Sequence, residues 1–183
     1  MKMNAKEILI PTVSLFTICL IVTALLALTN HITAPMIEQL SIENAAKVSR
    51  EVLPAAESFT EVEGTTGSAG YTADGVLCGY VFTEEVKGYG GALSVMVGID
   101  TTGTVTGVSV LEHNETPGLG ANVTKEGFLE QYEVAVTGEL AVSKDGGTID
   151  AVTGATISSR AVTQAVNNAY AQYLKILSGE DLQ

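Results

Sequence analysis

The sequence predicts an α+β protein in which one N-terminal transmembrane helix precedes a small domain made of an antiparallel sheet and flanking helices. Three observations predict this class: a long uncharged apolar run near the N-terminus, paired β-type segments around Asp-Gly and Thr-Gly in the middle, and helical periodicity near the C-terminus. A chain of 183 residues is long enough for one core of ordinary size with an appendage.

The apolar run has the length of a bilayer span. No Asp, Glu, Lys or Arg occurs from Ile8 to Ile37, and the apolar centre, Ile8–Leu28, has 21 residues, where a span needs about 20. A cleaved signal peptide is the alternative. Its apolar region usually has about 7–15 residues and ends at a small-x-small site, and no clear site of that kind closes this run. We therefore predict a retained single-pass anchor in the lipid bilayer.

Positive charge predicts the orientation of the anchor. Lys2 and Lys6 precede the span, whereas residues 30–37 on its far side contain no Lys or Arg. The positive-inside rule then places the N-terminus in the cytoplasm. The expected organisation is a cytoplasmic N-terminus (1–7), a transmembrane helix (8–30), a juxtamembrane helix and linker (31–60), and an extracytoplasmic domain (61–183) at the cell, or inner, membrane.

Charge and cysteine content exclude several classes of protein. The net charge of −12, from 9 basic and 21 acidic residues, repels phosphate backbones, so no nucleic-acid partner is expected. Two cysteines are too few for a disulfide-rich scaffold, a multi-cysteine metal site or an iron–sulfur cluster bound by this chain alone. Cys19 lies in the span and Cys78 beyond it, so we expect both to pack as small apolar side chains.

Elements after the anchor begin with a helix. A stripe of apolar residues predicts a helix over 34–53, which ends before Pro54 because the residue before a proline avoids helical geometry. The stripe contains Ile37, Leu40, Ala45, Val48 and Val52. Composition then predicts a loop from Gly64 to Gly70.

The sequence pattern in the middle of the chain predicts β-hairpins. Tyr71–Ala73 and Val76–Phe82 flank Asp74-Gly75, a strong hairpin signal. Leu93–Ile99 and Val105–Leu111 flank a second turn at Thr102-Gly103. Two hairpins of similar length predict a small antiparallel sheet with one buried face.

The C-terminal part is predicted to be mainly helical. A short helix over Lys125–Tyr132 directs Phe128, Leu129 and Tyr132 inward, and Val134–Val136 and Leu140–Val142 are predicted to be short strands. A last helix runs from about Ser158 to Leu177. Its inward stripe contains Val162, Val166, Ala169, Tyr170, Tyr173, Leu174 and Leu177.

Glycines cluster at Lys87–Gly91, Glu115–Gly120 and Asp150–Ser159. Glycine lets the backbone approach a ligand closely. The third cluster begins the C-terminal helix, where free N–H groups and the helix dipole suit a phosphate. Arg160 adds a cation, and no Gly-Lys-Ser/Thr follows as a P-loop requires. A phosphate site and an elaborate N-cap both remain open, because hydroxyls also cap helices. The hydroxyls belong to Thr153, Thr156, Ser158 and Ser159.

A motif in this third cluster matches a known family. Asp150-x-x-Thr153-Gly154-Ala155-Thr156 resembles the flavinylation motif, Asp-x-x-Ser/Thr-Gly-Ala-Thr, of the FMN-binding domain family. The resemblance implies one covalent FMN per chain, joined through its phosphate to Thr156 by a flavin transferase. It also implies that the transferase reads Asp150, Thr153, Gly154 and Ala155.

The second cluster carries a further resemblance. Glu115-Thr116-Pro117-Gly118-Leu119-Gly120 is similar to a motif of two relatives within that family, the G subunit of the Rnf complex and the C subunit of the sodium-pumping NADH:quinone reductase. In both, one membrane helix precedes an exported flavin domain. The short chain, with Thr156 near its C-terminus, favours the Rnf protein.

The Rnf resemblance implies a single electron relay in an ion-translocating ferredoxin:NAD oxidoreductase complex. The implied partners are the other membrane subunits, and no independent turnover, catalytic residue or metal site is expected. The C subunit of the quinone reductase, a stand-alone flavoprotein reductase component and a membrane-anchored binding module without a redox role are the alternatives.

Several side chains are expected around the flavin. We predict that Tyr89, Leu119 and Val152 pack beside the ring, although Tyr89 and Leu119 suit the core equally well. Ser158 and Ser159 are predicted to contact the phosphate. Glu115 is interpreted as orienting its loop, contacting the flavin, or remaining a solvated charge. His113 beside Glu112 is either a proton relay or a surface histidine.

Overall fold

The computed structural model describes residues 5–136 and 138–179. These residues fall into two compact units, which divide between Glu43 and Asn44. The first helix, α1, runs without interruption from Ala5 to Val52. The anchor and the predicted helix over 34–53 are thus one helix, and Pro35 lies inside it. Threonine hydroxyls bond carbonyls one turn back, from Thr29 to Leu25 at 2.9 Å and from Thr33 to Thr29 at 3.0 Å, which keeps these polar groups within the helix.

The N-terminal part of α1 is apolar and exposed along its described length. Leu9, Phe16 and Leu26 are each more than 60% exposed, as suits a surface that lipid covers. Among the described residues, α1 contains the one stretch that is long and apolar enough to cross a membrane. Of the apolar stripe that predicted a helix over 34–53, Ile37 and Leu40 are exposed, whereas Val48 and Val52 are buried.

The second unit contains a five-stranded antiparallel sheet whose strands follow one another in chain order. Both predicted turns, at Asp74-Gly75 and Thr102-Gly103, are confirmed as strand connections. The strands are β1 (Ser58–Glu61), β2 (Gly67–Tyr71), β3 (Leu77–Lys87), β4 (Ala92–Asp100) and β5 (Val105–His113).

The predicted loop over 64–70 is wrong in its second half, because residues 67–70 belong to β2. Its small residues are required by packing rather than by a turn. A Cβ on Gly67 would overlap the ring of Phe82, and one on Gly70 would overlap Leu53. Composition predicts a loop here because glycine is frequent in turns and also occurs in strands where other groups pack closely against the backbone.

Short helical segments and one long helix follow the sheet. The predicted helix over 125–132 is confirmed as α2 (Glu126–Leu129) with a 3₁₀ turn, Glu130–Tyr132. The predicted strands over 134–136 and 140–142 are wrong, because these segments form only the isolated bridges Thr104–Ala135 and Val142–Ile149. Two more 3₁₀ turns, Gly120–Thr124 and Ser143–Asp145, precede the last helix, α3 (Thr156–Ser178).

Both faces of the sheet are covered, where the sequence predicts one. Val95, Val97 and Ile99 of β4 pack on one side in a cluster with α3. On the other side, Val81 and Met96 pack against the end of α1 and the residues after it. Of the predicted stripe of α3, Val162, Val166, Ala169 and Tyr173 are buried and Tyr170 is half-buried, whereas Leu174 and Leu177 are exposed.

Candidate functional site

The predicted glycine clusters meet at the N-terminal end of α3. There they border an open pocket of about 440 Å³, within the range of about 300–1,000 Å³ that small-ligand sites occupy. The lining residues are Tyr89, Glu115, Thr116, Leu119, Gly120, Lys144, Gly154, Ala155, Thr156, Ile157 and Ser158.

Glu115 joins the segments that form the pocket. It is only 5% exposed. Its Oε1 accepts hydrogen bonds from the backbone N–H groups of Tyr89 (2.8 Å) and Gly90 (3.2 Å), and its Oε2 accepts one from Ser158 Oγ (2.8 Å). Three donors offset the cost of burying a carboxylate. The interpretation of Glu115 as a solvated charge is therefore wrong, and its carboxylate joins its own loop to the turn between β3 and β4 and to α3.

Two glycines leave room for this carboxylate. A Cβ on Gly88 would overlap Glu115 Oε1, and a Cβ on Gly120 would overlap Oε2. The glycine clusters on either side of Glu115 thus have a specific cause, which is the close approach of the backbone to a buried acidic side chain.

The N-terminus of α3 is not capped by a hydroxyl. The N-cap position is Ala155, and among the described residues no side chain caps it. Ser159 instead accepts a hydrogen bond from the N–H of Val152 and donates to the carbonyl of Ala155, both at 3.0 Å, while Ser158 binds Glu115. The N-cap interpretation of this cluster is therefore wrong, and a helix start without a side-chain cap is of the kind that suits an anion.

The cation beside Thr156 is Lys144, not Arg160. Lys144 Nζ donates to Thr156 Oγ1 at 2.9 Å. Arg160 is engaged by Asp145 in a two-fold contact, with both N–O distances at 2.7 Å, and its guanidinium holds the pKa of Asp145 below the ordinary value. Sequence reasoning missed Lys144 because it lies 12 residues before Thr156, in a stretch without a motif.

Apolar side chains line the rest of the pocket and are open to solvent. Tyr89 is 73% exposed, Leu119 52% and Ile157 50%. Tyr89 and Leu119 are thus not core residues. Val152 is partly buried against the core cluster and is not among the residues that line this pocket, so its expected place beside the ring stays a prediction.

The remaining motif residues lie at the rim or outside the pocket. Thr153 and Asp150 are exposed, and the backbone of Asp150 is held by the Gln131 side chain, which accepts from its N–H at 2.7 Å. Pro117 and Gly118 are also exposed, and Gly118 has a φ of 78°, which favours glycine. Thr116 lines the pocket, and its carbonyl accepts from the N–H groups that follow it in the loop.

His113 lies next to the pocket loop. It is exposed, and its Nδ1 accepts a hydrogen bond from the N–H of Glu115 at 3.2 Å. This contact fixes the start of the loop, and His113 does not line the pocket.

The residues present fit FMN. An uncapped helix terminus and Lys144 suit a phosphate group at Thr156. The apolar side chains of Tyr89, Leu119 and Ile157 are exposed to solvent in the pocket. A flat aromatic ring would cover them and would itself gain apolar contacts.

Comparisons with known proteins agree with this geometry. Residues 88–171 match the model of the FMN-binding domain. The chain is 34% identical to the G subunit of the ion-translocating oxidoreductase complex of Methanosarcina acetivorans, over 91% of this chain and 94% of that protein. It is also 34% identical to the G subunit of the proton-translocating ferredoxin:NAD(+) oxidoreductase complex of Clostridium ljungdahlii, over 92% of this chain and 93% of that protein.

A solved structure shares the fold. The crystal structure of the C subunit of Na(+)-translocating NADH-quinone reductase from Parabacteroides distasonis is 25% identical, with a TM-score of 0.52 over 63% of each chain. The relatives that match over most of the chain are nevertheless G subunits. The chain therefore belongs to the family of G subunits of ion-translocating oxidoreductase (Rnf) complexes and contains the FMN-binding domain of that family.

Proposed function

We propose that this chain carries one FMN, joined through its phosphate to Thr156, and passes electrons within an ion-translocating ferredoxin:NAD oxidoreductase complex. The family and the names of the relatives support the complex and the cofactor. The covalent bond is supported by the Asp150–Thr156 motif and by the place of Thr156 in the pocket wall.

The observation that carries this proposal is the uncapped start of α3 with Lys144 at the hydroxyl of Thr156. A phosphodiester on that hydroxyl has one negative charge. The helix dipole and the ammonium group of Lys144 stabilise a charge of that sign at that position. A side-chain hydroxyl capping the start of α3 would instead have occupied the N–H groups that suit this negative charge.

In this proposal the pocket residues position the cofactor rather than take part in acid–base chemistry. When bound, the isoalloxazine ring supplies the electron-transfer chemistry. Tyr89, Leu119 and Ile157 would hold the ring by apolar contact, and the glycine segments would allow the backbone to approach it closely. Turnover then depends on neighbouring redox subunits, so the isolated chain is expected to have no activity of its own.

The anchor places this relay at the membrane. The apolar part of α1 crosses the bilayer with residues 1–7 in the cytoplasm, and the FMN domain is extracytoplasmic, as Lys2 and Lys6 favour. The partners are the other membrane subunits of the complex, the lipid bilayer, and a flavin transferase during maturation.

Mass spectrometry with in-gel ultraviolet fluorescence tests the proposal. Full-length chain produced with a flavin transferase should gain one FMN and a fluorescent band, and Thr156→Val should gain neither. Thr148→Val is the matched control, because it removes an exposed hydroxyl that lies close to Thr156 in the sequence but outside the Asp150–Thr156 motif. An unlabelled wild-type chain, with a known flavinylated protein labelled in the same cells, contradicts the proposal.

A further inference from the structure

The pocket wall contains a charged side chain that the family motif does not include. Of the described residues that line the pocket, Glu115 and Lys144 are the charged ones. Glu115 is buried and held by backbone donors. Lys144 is exposed, and its ammonium group contacts the acceptor oxygen itself, 2.9 Å from Thr156 Oγ1.

A second contact fixes the position of this lysine. The next residue, Asp145, binds Arg160 through both carboxylate oxygens at 2.7 Å. Arg160 lies four residues after Thr156, one turn further along α3, so this ion pair holds the 3₁₀ turn Ser143–Asp145 against the start of the helix.

We propose that Lys144 is a catalytic residue for the attachment of FMN to Thr156, and that the Asp145–Arg160 pair positions it. This inference rests on the proposed function, because it needs Thr156 to be the acceptor. An ammonium group has no lone pair and is not the base. It holds the acceptor oxygen and stabilises the negative charge that gathers on the phosphoryl oxygens during transfer.

The reaction balances with an activated flavin donor. FMN is a phosphomonoester, so forming a diester requires its phosphorus within a phosphoanhydride, as in flavin adenine dinucleotide. The bond from Thr156 Oγ1 to that phosphorus forms, and the anhydride bond opposite breaks. The nucleotide leaves as its monophosphate, and the hydroxyl proton passes to the transferase or to water. No group is oxidised or reduced.

The test is a time course of flavinylation of the full-length chain in detergent, with purified flavin transferase and flavin adenine dinucleotide. Lys144→Ala should react at least about tenfold more slowly, because one preorganised charged donor is lost. Lys144→Arg should recover part of the rate. Lys175→Ala is the matched control, since Lys175 is an exposed lysine near the other end of α3.

The ion pair has its own test. Asp145→Asn should slow the reaction less than Lys144→Ala, and the double variant should be no slower than Lys144→Ala alone, because both changes remove one interaction. Thermal unfolding checks that each variant is folded, as expected for exposed side chains.

Three results overturn the inference: Lys144→Ala reacting at the wild-type rate, Lys144→Arg no faster than Lys144→Ala, or additive losses in the double variant. A wild-type chain that gains no FMN at all contradicts the proposed function instead, so the two failures are distinguishable.

Discussion

Two buried glutamates lie near opposite ends of α3, and they are held in different ways. Glu115 is 5% exposed and Glu84 is 7% exposed. At the N-terminal end, Glu115 is bound mainly by backbone N–H groups of the turn between β3 and β4. At the other end, Glu84 Oε1 accepts hydrogen bonds from the side chains of Thr66 and Gln172.

The difference separates a site from a structural contact. Backbone donors from a glycine turn bring the main chain close to Glu115 and leave open space beside it, which becomes the pocket. Side-chain donors of Thr66 and Gln172 bind Glu84 and connect β3, the start of β2 and α3, and Glu84 does not line the pocket beside Glu115. The same chemical group therefore lines the candidate site in one place and joins secondary structure in the other.

The largest expected effect is on flavin loading after truncation of the first glutamate. Glu115→Ala leaves two N–H groups and one hydroxyl without their acceptor, which should cost about 3 kcal/mol of stability and most of the FMN gained from flavin transferase. Glu84→Ala should load FMN normally. Intact-mass measurement of loading and thermal unfolding of both variants check this, and equal loading in the two variants contradicts the comparison.

A smaller effect is expected when the acceptor is kept and the charge removed. Glu115→Gln retains an oxygen for the N–H groups of Tyr89 and Gly90, and its amide can donate to Ser158. We therefore expect loading close to that of the wild type and well above that of Glu115→Ala, measured in the same assay. Loading as poor as that of Glu115→Ala would show that the charge, rather than the hydrogen bonds, organises the pocket.

The smallest effect concerns pH and the second glutamate. Burial raises the pKa of Glu84 above its ordinary value of 4.5, and the hydrogen bond from Thr66 lowers it in part. The folded state thus binds this proton more tightly than the unfolded chain. Its contribution to stability is fully present below pH 4.5 and is lost as the pH rises through the folded-state pKa.

Glu84→Gln should remove that dependence. The free energy of unfolding of the wild type, minus that of Glu84→Gln, should fall as the pH rises from about 4 to about 7. Denaturant unfolding at several pH values measures it. Glu85→Gln, an exposed change on the same strand, is the control, and a flat difference for Glu84→Gln contradicts the assignment.

Local sequence signals predicted the elements whose residue pattern is explained by one local effect. The hairpin at Asp74-Gly75, the stripe of α3 from Val162 to Tyr173, and the apolar anchor each follow from turn chemistry or periodicity. Residues 67–70 were missed because packing against Phe82 and Leu53, distant in sequence, explains their size. Leu174 and Leu177 fit the helical period, but the described packing does not reach them.

The site was predictable where a motif marks it and not where tertiary structure assembles it. The Asp150–Thr156 motif identifies the proposed acceptor, and the Glu115–Gly120 motif identifies one wall of the pocket. The burial of Glu115 depends on Gly88 and Gly120 meeting in space. The role of Lys144 depends on a turn held by Asp145 and Arg160. No local pattern encodes either arrangement.

Peptide mapping of the matured wild-type chain tests the central claim most directly. Full-length protein produced with a flavin transferase is digested, and each peptide is sequenced by tandem mass spectrometry. We predict one FMN-sized addition, on the peptide that contains Thr156, with fragments that assign it to that side chain. FMN on another residue, or a bare Thr156 in protein that holds flavin, contradicts the account.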